Sequence, residues 1–415
     1  MKVDELRELI KLRRPPAPYG ARSLTRACSI EDLRGLARRR VPRSAMDYIE
    51  GGGEGEVTLR RNRTAFDDFD LVPRVLRDVS KVDLTTEVLG TPMPFPFALG
   101  PVGSPRLFHH EGELAAVRAA SRAGAVFCLS SSATQSIERV AAEASCPLWY
   151  QVYVWKRRGI VEELLGRARA AGYRVLVVTV DTAVNSKRER ELRSGLMLPN
   201  PALRLSTILD GAMHPSWWWH FLTSNAIRFE DLAPPGAAPS LGFARMVRGF
   251  DGSFSWRDLE WIRNAWDGPV VLKGIMSVAD ARRAVDAGLD GVVVSNHGGR
   301  QLDHVSATIE ALGPIVSAVG DRIEVLMDGG IRRGTDILTA LALGAKACLI
   351  GRAYAYGLAA AGEAGVNVAL DLLAQELGTA MALSGLTSVG EIDPTYVRSR
   401  KVMDLAGDSQ GSRGR

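Results

Sequence analysis

The feature that most constrains the fold is a repeated alternation of short apolar runs with amphipathic segments. Helical periodicity marks several of the intervening segments, namely 112–123, 137–144, 161–171, 278–287, 309–319 and 335–343. The apolar runs are typical of buried strands and end in small or polar residues; they span 94–101, 126–131, 148–154, 175–181, 270–274, 291–296, 324–330 and 347–352. Alternation repeated eight times predicts an α/β protein, a (β/α)8 (TIM) barrel. A doubly wound sheet is the alternative, but no GxGxxG follows the first strand.

Three segments fall outside this repeat. Residues 1–90 are predicted to form an N-terminal extension that packs on the barrel, with short helices at 30–39 and 42–48. The barrel itself is expected over 91–400, with an insertion at about 195–255 after the fourth strand. This long loop contains the sequence WWWHF and is predicted to be a lid or a disordered segment. The end of the chain, 401–415, is rich in Gly, Ser and Arg and is predicted to be a flexible tail.

Composition excludes several classes of protein. With 415 residues, 46% of them hydrophobic, the chain can bury a large core. The net charge of +5 is a weak excess, and the basic clusters lack interleaved aromatic residues, so no nucleic-acid partner is expected. The four cysteines and six histidines form no metal-binding pattern, which predicts no metal site and a reducing cytoplasm. No signal peptide and no apolar window of about 20 residues is found, so we expect a cytoplasmic protein, at most peripheral to a membrane.

The sequence SNHGGRQLD at 295–303 follows the apolar run 291–294 and begins at the carboxyl end of the sixth strand. In a (β/α)8 barrel the carboxyl ends of the strands face the active site, so His297 and Arg300 are expected there. Histidine exchanges protons near neutral pH, and arginine can hold a carboxylate by two parallel hydrogen bonds. This pair predicts chemistry on a 2-substituted carboxylic acid.

The turns after strands seven and eight are where barrels commonly bind phosphate. Strand seven ends in MDGGIRRG at 327–334 and opens a helix, and strand eight ends in Ile350, Gly351 and Arg352. Paired glycines let backbone amides approach an anion, and the start of a helix favours negative charge. Either turn alone could be an ordinary turn with solvated arginines, but both together predict a phosphate site.

Other strand ends indicate what carries the phosphate. Lys273 lies in the buried fifth strand, where its charge needs an anionic partner such as a reduced flavin. Gln151 and Thr179 offer the donors and acceptors that a pyrimidine-like ring requires. One phosphate and one isoalloxazine ring make FMN.

These motifs together resemble the FMN-dependent L-2-hydroxy acid oxidases and dehydrogenases, the family that includes glycolate oxidase, L-lactate dehydrogenase and mandelate dehydrogenase. The resemblance covers about 30–385. SNHGGRQLD is its most specific part, and DGGIRRGTD, LKG and VTVDT…KRERELR reinforce it. It implies oxidation of an L-2-hydroxy acid to the 2-oxo acid with FMN as the cofactor, and a homotetramer by analogy with related barrels.

The resemblance also implies roles for the catalytic side chains. His297 would be the base that accepts the substrate proton, and Asp181 would stabilise the resulting imidazolium. Tyr153 would contact the substrate hydroxyl or the flavin edge, and Lys273 would stabilise the anionic reduced flavin. Read from the residues alone, Asp181 could instead cap the following turn.

Substrate recognition is implied for a second set of residues. Arg188 and Arg300 would hold the substrate carboxylate, assisted by the hydroxyl of Tyr48. Ser132 stands where many glycolate oxidases have a pocket tryptophan, and Asn185 stands where leucine is frequent, which implies a wider and more polar pocket than glycolate requires. The alternatives are that Arg188 is a surface charge and Tyr48 an ordinary half-buried aromatic residue.

Cofactor contacts are implied for thirteen positions. Gly103 replaces an alanine common in the oxidases near flavin N5, which favours a dehydrogenase over an oxidase. The cofactor-binding positions are Pro101, Val102, Gly103, Ser130, Gln151, Thr179, Lys273, Ser295, Asp328, Gly330, Arg332, Gly351 and Arg352.

Several alternatives remain open at this point. The electron acceptor could be oxygen, a quinone or a redox protein. The WWWHF segment at 217–221 could lie on a membrane, although packing on the barrel or a neighbouring subunit is favoured. The enzyme could be a tailoring oxidase that acts on a modified peptide or secondary metabolite. The alternative that is not an enzyme is a barrel that binds FMN or a phosphorylated ligand without turnover.

Overall fold

The computed structural model describes residues 24–195, 205–232 and 249–400, and only the backbone of Phe221. The predicted tail at 401–415 lies outside these residues, as do the start of the extension and parts of the insertion. The described chain forms the predicted barrel, in which eight parallel strands close in sequential order around one core.

The N-terminal extension is helical, as predicted. It begins with α1 Ile30–Arg40, α2 Arg43–Glu50 and α3 Val57–Thr64. The Ser29 side chain accepts a hydrogen bond from the Asp32 amide and so caps α1. A strand β1 Phe69–Leu71 follows, and the hairpin of β2 Thr86–Val88 and β3 Thr91–Met93 comes next. Val88, Leu89 and Met93 pack against inward-facing strand residues and close the amino-terminal mouth of the barrel.

The barrel strands coincide with the eight predicted apolar runs, although most of them are shorter. They are β4 Phe97–Leu99, β5 Phe127–Ser130, β6 Leu148–Tyr153, β7 Val175–Thr179, β8 Val270–Ile275, β9 Gly291–Val294, β10 Glu324–Asp328 and β11 Ala347–Ile350. The last strand pairs with the first through Cys348, Leu349 and Ile350. A short strand β12 Val397–Ser399 returns to pair with β1, which ties the end of the described chain to the extension.

Helices surround the strands and connect them. In chain order they are α4 Glu113–Ala123, α5 Ile137–Glu143, α6 Arg158–Ala170, α7 Glu189–Ser194, α8 Leu205–Ala212, α9 Pro215–Thr223, α10 Leu259–Asn264, α11 Val278–Asp286, α12 Thr308–Val319, α13 Gly334–Ala342 and α14 Arg352–Leu383. Helix α14 was not among the helices predicted from the sequence. This helix is long and apolar enough to cross a membrane by length and composition, but 56% of its most apolar window is buried in the protein. It breaks at Ala361 and Gly362 and packs on α1, α4 and α13 as the last helix of the barrel.

The insertion after β7 differs from the long loop predicted for it, because its described part holds α8 and α9. Trp217 on α9 donates a hydrogen bond from Nε1 to the Leu107 carbonyl at 3.0 Å, so this ring packs on the barrel. Trp219 and Leu222 on the same helix are 58% and 70% exposed. One side of α9 therefore contacts the barrel, and the other presents apolar side chains to solvent.

Candidate active site

A cavity of about 1290 Å³ opens at the carboxyl ends of the barrel strands. Seventeen of the predicted site residues line it: Tyr48, Pro101, Val102, Gly103, Ser132, Tyr153, Thr179, Asn185, Arg188, Lys273, His297, Arg300, Asp328, Gly330, Arg332, Gly351 and Arg352. The other four, Asp181, Ser130, Gln151 and Ser295, are connected to lining residues through hydrogen bonds.

The base candidate His297 is held from behind by Asp181. His297 Nδ1 lies 2.9 Å from Asp181 Oδ1. Burial lowers the pKa of His297 below its ordinary value of 6.5, and the Asp181 charge offsets this only in part. Burial alone would raise the pKa of Asp181, but the imidazole and Lys273 hold it below its ordinary range. The pair is therefore a neutral imidazole backed by a carboxylate, the state that a general base needs at neutral pH.

Backbone conformation directs the His297 ring into the cavity. His297, Gly298 and Gly299 have φ values of 58°, 63° and 75°, so three successive residues lie in the left-handed region. A Cβ at Gly299 would come within 2.6 Å of the Leu59 backbone, which explains why the motif has glycine there. The other ring nitrogen, His297 Nε2, faces the Tyr153 hydroxyl at 3.4 Å. Burial raises the pKa of Tyr153 to about 12, so its hydroxyl is protonated and can donate.

Arg188 and Arg300 also line the cavity, and Glu191 contacts both of them. Arg300 donates to the carbonyls of Tyr48 and Gly51 from Nη1 and to Glu191 Oε1 from Nη2, at 2.7, 2.9 and 3.0 Å. Glu191 Oε1 also lies 3.6 Å from Nη1 of Arg188. Burial and the nearby Arg300 charge lower the pKa of Arg188. The buried Nε of Arg188 has no hydrogen-bond partner within the described residues, so this guanidinium is suited to a substrate carboxylate.

Tyr48 and Gly103 meet at the edge of the cavity. The Tyr48 hydroxyl donates to the Gly103 carbonyl at 3.0 Å, and the Arg300 guanidinium lies 5.1 Å from the centre of the Tyr48 ring. A Cβ built on Gly103 would stand 3.3 Å from Ser132 Cβ and 3.4 Å from the Tyr48 hydroxyl. The glycine thus leaves room that an alanine methyl would fill tightly.

The floor of the cavity is a chain of buried polar side chains. Ser130 donates to Gln151 Oε1 at 2.8 Å, and Gln151 Nε2 donates to the Thr179 hydroxyl at 2.9 Å. Beside them, Lys273 Nζ lies 2.9 Å from the Ser295 hydroxyl and 2.8 Å from Asp328 Oδ2. Burial alone would lower the pKa of Lys273, but the Asp328 carboxylate holds it above the ordinary value, so the ammonium is charged.

The turns after β10 and β11 form the end predicted to bind phosphate. Gly329 and Gly330 have φ values of 95° and 83°, and a Cβ at Gly330 would meet the Asn62 carbonyl at 2.0 Å. Arg332 lies with its guanidinium 5.4 Å from the centre of the Tyr356 ring. Arg352 donates to the carbonyls of Ile49, Gly298 and Gly51 at 2.8, 2.7 and 2.8 Å.

These residues fit FMN. Burial lowers the pKa of Arg352 to about 9, and this arginine forms no ion pair with the residues that the structure describes. A bound phosphate would supply the missing countercharge. The buried Oδ1 of Asp328 also has no partner among the described residues, and a sugar-alcohol hydroxyl could donate to it. Gly329, Gly330 and Gly351 line the cavity beside these two residues.

Some residues of the site were not found from the sequence. Glu191 was not predicted because it lies in a stretch of alternating charges that is typical of a helix surface. Phe250 lies near the end of the insertion, yet its ring lies 5.1 Å from that of Tyr153. Gln301 and Asp303 belong to the SNHGGRQLD motif, which was the available signal. Gln301 donates to the Asp181 carbonyl at 2.9 Å, and Asp303 accepts from the amide of Thr58 at the start of α3 at 2.7 Å.

Comparison with known proteins agrees with this geometry. The family model for FMN-dependent dehydrogenases matches residues 37–399. The chain belongs to the FMN-dependent dehydrogenase family. Members of this family use FMN, and FMN is the cofactor of this enzyme.

Two curated relatives in this family illustrate its range. An L-lactate dehydrogenase of Caulobacter vibrioides is 46% identical over 376 residues, which cover 90% of this chain and 98% of the relative. A peroxisomal (S)-2-hydroxy-acid oxidase of Oryza sativa is 43% identical over 369 residues, covering 89% and 95%. The protein is therefore an FMN-dependent 2-hydroxy acid dehydrogenase or oxidase.

A solved structure shares the architecture over nearly the whole chain. The monotopic membrane protein (S)-mandelate dehydrogenase superposes with a TM-score of 0.87 at 38% identity, covering 90% of this chain and all of the other. This agreement confirms the predicted barrel.

Proposed function

We propose that the enzyme oxidises an L-2-hydroxy acid larger than glycolate and works as a dehydrogenase. The observation that carries the proposal is the His297–Asp181 pair facing Arg188 and Arg300 across one cavity. A base on one side and carboxylate-binding guanidinium groups on the other define the position of a 2-hydroxy acid. A barrel that only binds FMN needs neither, so the geometry disfavours the non-catalytic reading.

Each side chain has a defined part in this mechanism. Arg188 and Arg300 bind the substrate carboxylate and turn C2 towards His297. His297 Nε2 accepts the proton that leaves the substrate, and Asp181 stabilises the imidazolium through Nδ1. Tyr153 orients the substrate hydroxyl with its own protonated hydroxyl. FMN, when bound, accepts the two electrons of the oxidation, and the charged Lys273 favours negative charge on the ring system.

The residues around the expected position of the substrate side chain support a substrate larger than glycolate. Ser132, Thr182 and Asn185 line the cavity together with the rings of Phe108 and Phe250. Small polar side chains leave space, and the aromatic rings offer apolar surface. Glycolate, which has a second hydrogen at C2 in place of a side chain, would leave this space unfilled.

Anaerobic mixing of the FMN-loaded enzyme with single hydroxy acids tests the proposal. We expect L-lactate, L-mandelate or p-hydroxymandelate to bleach the flavin absorbance faster than glycolate, and the D-acids not to bleach it. A strong preference for glycolate would contradict the proposed substrate class. If none of these acids bleaches the flavin, the substrate is larger and the tailoring-oxidase alternative becomes the better reading. Slow recolouring in air would support a dehydrogenase, and fast recolouring an oxidase.

We also propose that the insertion places the enzyme on a membrane surface. The exposed apolar residues of α8 and α9 support this, as does the similarity to a mandelate dehydrogenase described as a monotopic membrane protein. The apolar face is formed by Leu205, Ile208, Leu209, Met213, Trp219 and Leu222, each more than half exposed. Helices with such a face bind bilayers through the area they bury.

Sedimentation with phospholipid vesicles tests the membrane proposal. We expect the wild-type protein to sediment with the vesicles and the Trp219→Ser/Leu222→Ser double variant to remain in solution. Leu383→Ser is the matched control, because Leu383 is 73% exposed but lies at the end of α14. Equal sedimentation of all three proteins would contradict the proposal.

A further inference from the structure

A second cavity of about 520 Å³ lies beside the active site. It is bounded by the loop that follows β4 and by helix α9, and the buried ring of Phe108 lines both cavities. The same loop carries Gly103 into the first cavity and His110 into the second. Phe108 is thus a lining residue shared by the second cavity and the proposed site of hydroxy acid oxidation.

The second cavity combines flat apolar walls with nitrogen donors. Phe108 and Trp217 provide the aromatic surface. The rings of His110 and His220 stack with centroids 4.2 Å apart and planes 9° from parallel, so the barrel loop and α9 meet at this pair. Within the described residues, the Arg40 guanidinium and the ring nitrogens of His110 and His220 make no hydrogen bond or ion pair. These three groups are therefore available to a ligand.

The charge of the cavity argues for a neutral ligand with oxygen acceptors. Arg106, the other arginine of the lining, already donates to the carbonyls of His110 and Ala226 at 3.1 and 3.4 Å and to that of Asn225. Among the described residues of the lining, Arg40 alone has a free guanidinium, whereas a carboxylate or phosphate is usually held by several charge-assisted hydrogen bonds. A planar ring with carbonyl oxygens satisfies both the aromatic walls and the separated donors.

We propose that this cavity binds the ring of a quinone, which receives the electrons of the reaction there. The inference rests on the proposed dehydrogenase function. The exposed apolar side of α9, with Trp219 and Leu222, would let the tail of a membrane quinone reach the cavity from a lipid surface. Arg40, His110 and His220 would donate hydrogen bonds to the quinone oxygens.

The overall step balances. The hydroxy acid loses two electrons and two protons to become the 2-oxo acid, and the quinone gains two electrons and two protons to become the quinol. The C2–H and O–H bonds of the acid break, and two O–H bonds form on the quinone. Protons accepted by His297 leave to solvent, and the protons for the quinone enter through His110 and His220.

Calorimetric titration of the oxidised FMN-loaded enzyme with duroquinone, a benzoquinone without a tail, tests binding directly. We expect one site whose affinity falls about tenfold in Arg40→Met and in His110→Phe, because each loses one hydrogen bond to the quinone. His110→Phe keeps a ring to stack on His220. Arg39→Met, on the neighbouring exposed arginine of α1, is the control and should bind as the wild type does.

Competition separates the two cavities. Saturation with the 2-oxo acid product should leave duroquinone binding unchanged, since the product occupies the substrate cavity. Absence of binding, equal affinity in all variants, or displacement by the product would each overturn the proposal.

Rapid mixing then separates this inference from the proposed function. Anaerobic bleaching by the hydroxy acid should be the same in Arg40→Met and the wild type, and reoxidation by ferricyanide should also be the same. Reoxidation by duroquinone should be about tenfold slower in Arg40→Met. Equal duroquinone rates with normal bleaching would overturn the quinone site alone, whereas failure of every hydroxy acid to bleach the flavin would overturn the proposed function.

Discussion

Glu191 and Arg300 form a buried ion pair at the wall of the active site, with 3.0 Å between Oε1 and Nη2. Only 9% of the Glu191 side chain and 15% of the Arg300 side chain are exposed. Since Glu191 also approaches Arg188, one carboxylate contacts both guanidinium groups that are proposed to bind the substrate, and one positive charge is left for the substrate carboxylate. The Glu191 carboxylate and the substrate carboxylate together thus supply the negative charge that the two guanidinium groups require.

Replacing Glu191 with Gln should destabilise the substrate-free enzyme by about 3 kcal/mol, because two buried positive charges lose their partner. A bound 2-oxo acid should recover more stability in this variant than in the wild type, since its carboxylate replaces the missing charge. Thermal unfolding with and without the acid measures both effects. Glu189→Gln, on the more exposed neighbour in α7, should change neither. An equal ligand-induced shift in Glu191→Gln and the wild type would contradict this account.

Replacing His297 with Gln should slow anaerobic flavin reduction by roughly 10²–10⁴-fold, the usual contribution of a general base. The FMN content should stay near that of the wild type, because the His297 side chain is not among the proposed cofactor contacts. His304→Gln is the control, since His304 is exposed and shares the left-handed backbone conformation, with φ of 61°. A comparable rate loss in both variants would point to a structural effect.

The pH dependence should follow the lowered pKa of His297. The base works when neutral, so kcat/KM should be constant at neutral pH and fall as the pH drops through a value below 6.5. Asp181→Asn removes the carboxylate that raises this pKa. In this variant the acid limb should move to still lower pH while the plateau rate decreases. A limb that moves to higher pH would show that another group controls the profile.

Replacing Gly103 with Ala should change how the reduced enzyme reacts with acceptors. The new methyl would stand 3.3 Å from Ser132 Cβ, at the position where the oxidases commonly have alanine. We expect the rate of reoxidation by oxygen to rise relative to that by ferricyanide, measured by rapid mixing after anaerobic reduction. Gly35→Ala is the control, because nothing lies within 4 Å of a Cβ there. An unchanged ratio would remove Gly103 as the basis for preferring a dehydrogenase.

The sequence predicted the barrel and most of the site because both depend on short-range patterns. Each strand and the polar residues after it are contiguous, and closure of the barrel brings all eight strand ends to one face. His297, Lys273 and Arg352 could therefore be placed in one site from their positions at the ends of strands.

The remaining parts depend on contacts between distant segments. Asn62 and Asn296 exchange hydrogen bonds of 2.8 and 2.9 Å between their side-chain amides, and no local pattern links these two positions. Glu191 looked like one more charge on a helix surface, since its burial arises only when Arg300 folds against it. Helices α8 and α9 were obscured by the proline- and glycine-rich sequence that follows them.

The three hydrogen bonds of Arg352 join the N-terminal extension to the barrel. Two of its carbonyl partners, at Ile49 and Gly51, belong to the extension, and the third, at Gly298, adjoins the catalytic base. The arginine proposed to hold the FMN phosphate is thus positioned by segments far apart in the chain. A chimeric enzyme that combines this barrel with the extension of a relative should lose affinity for FMN. The two segments should therefore be exchanged between relatives only together.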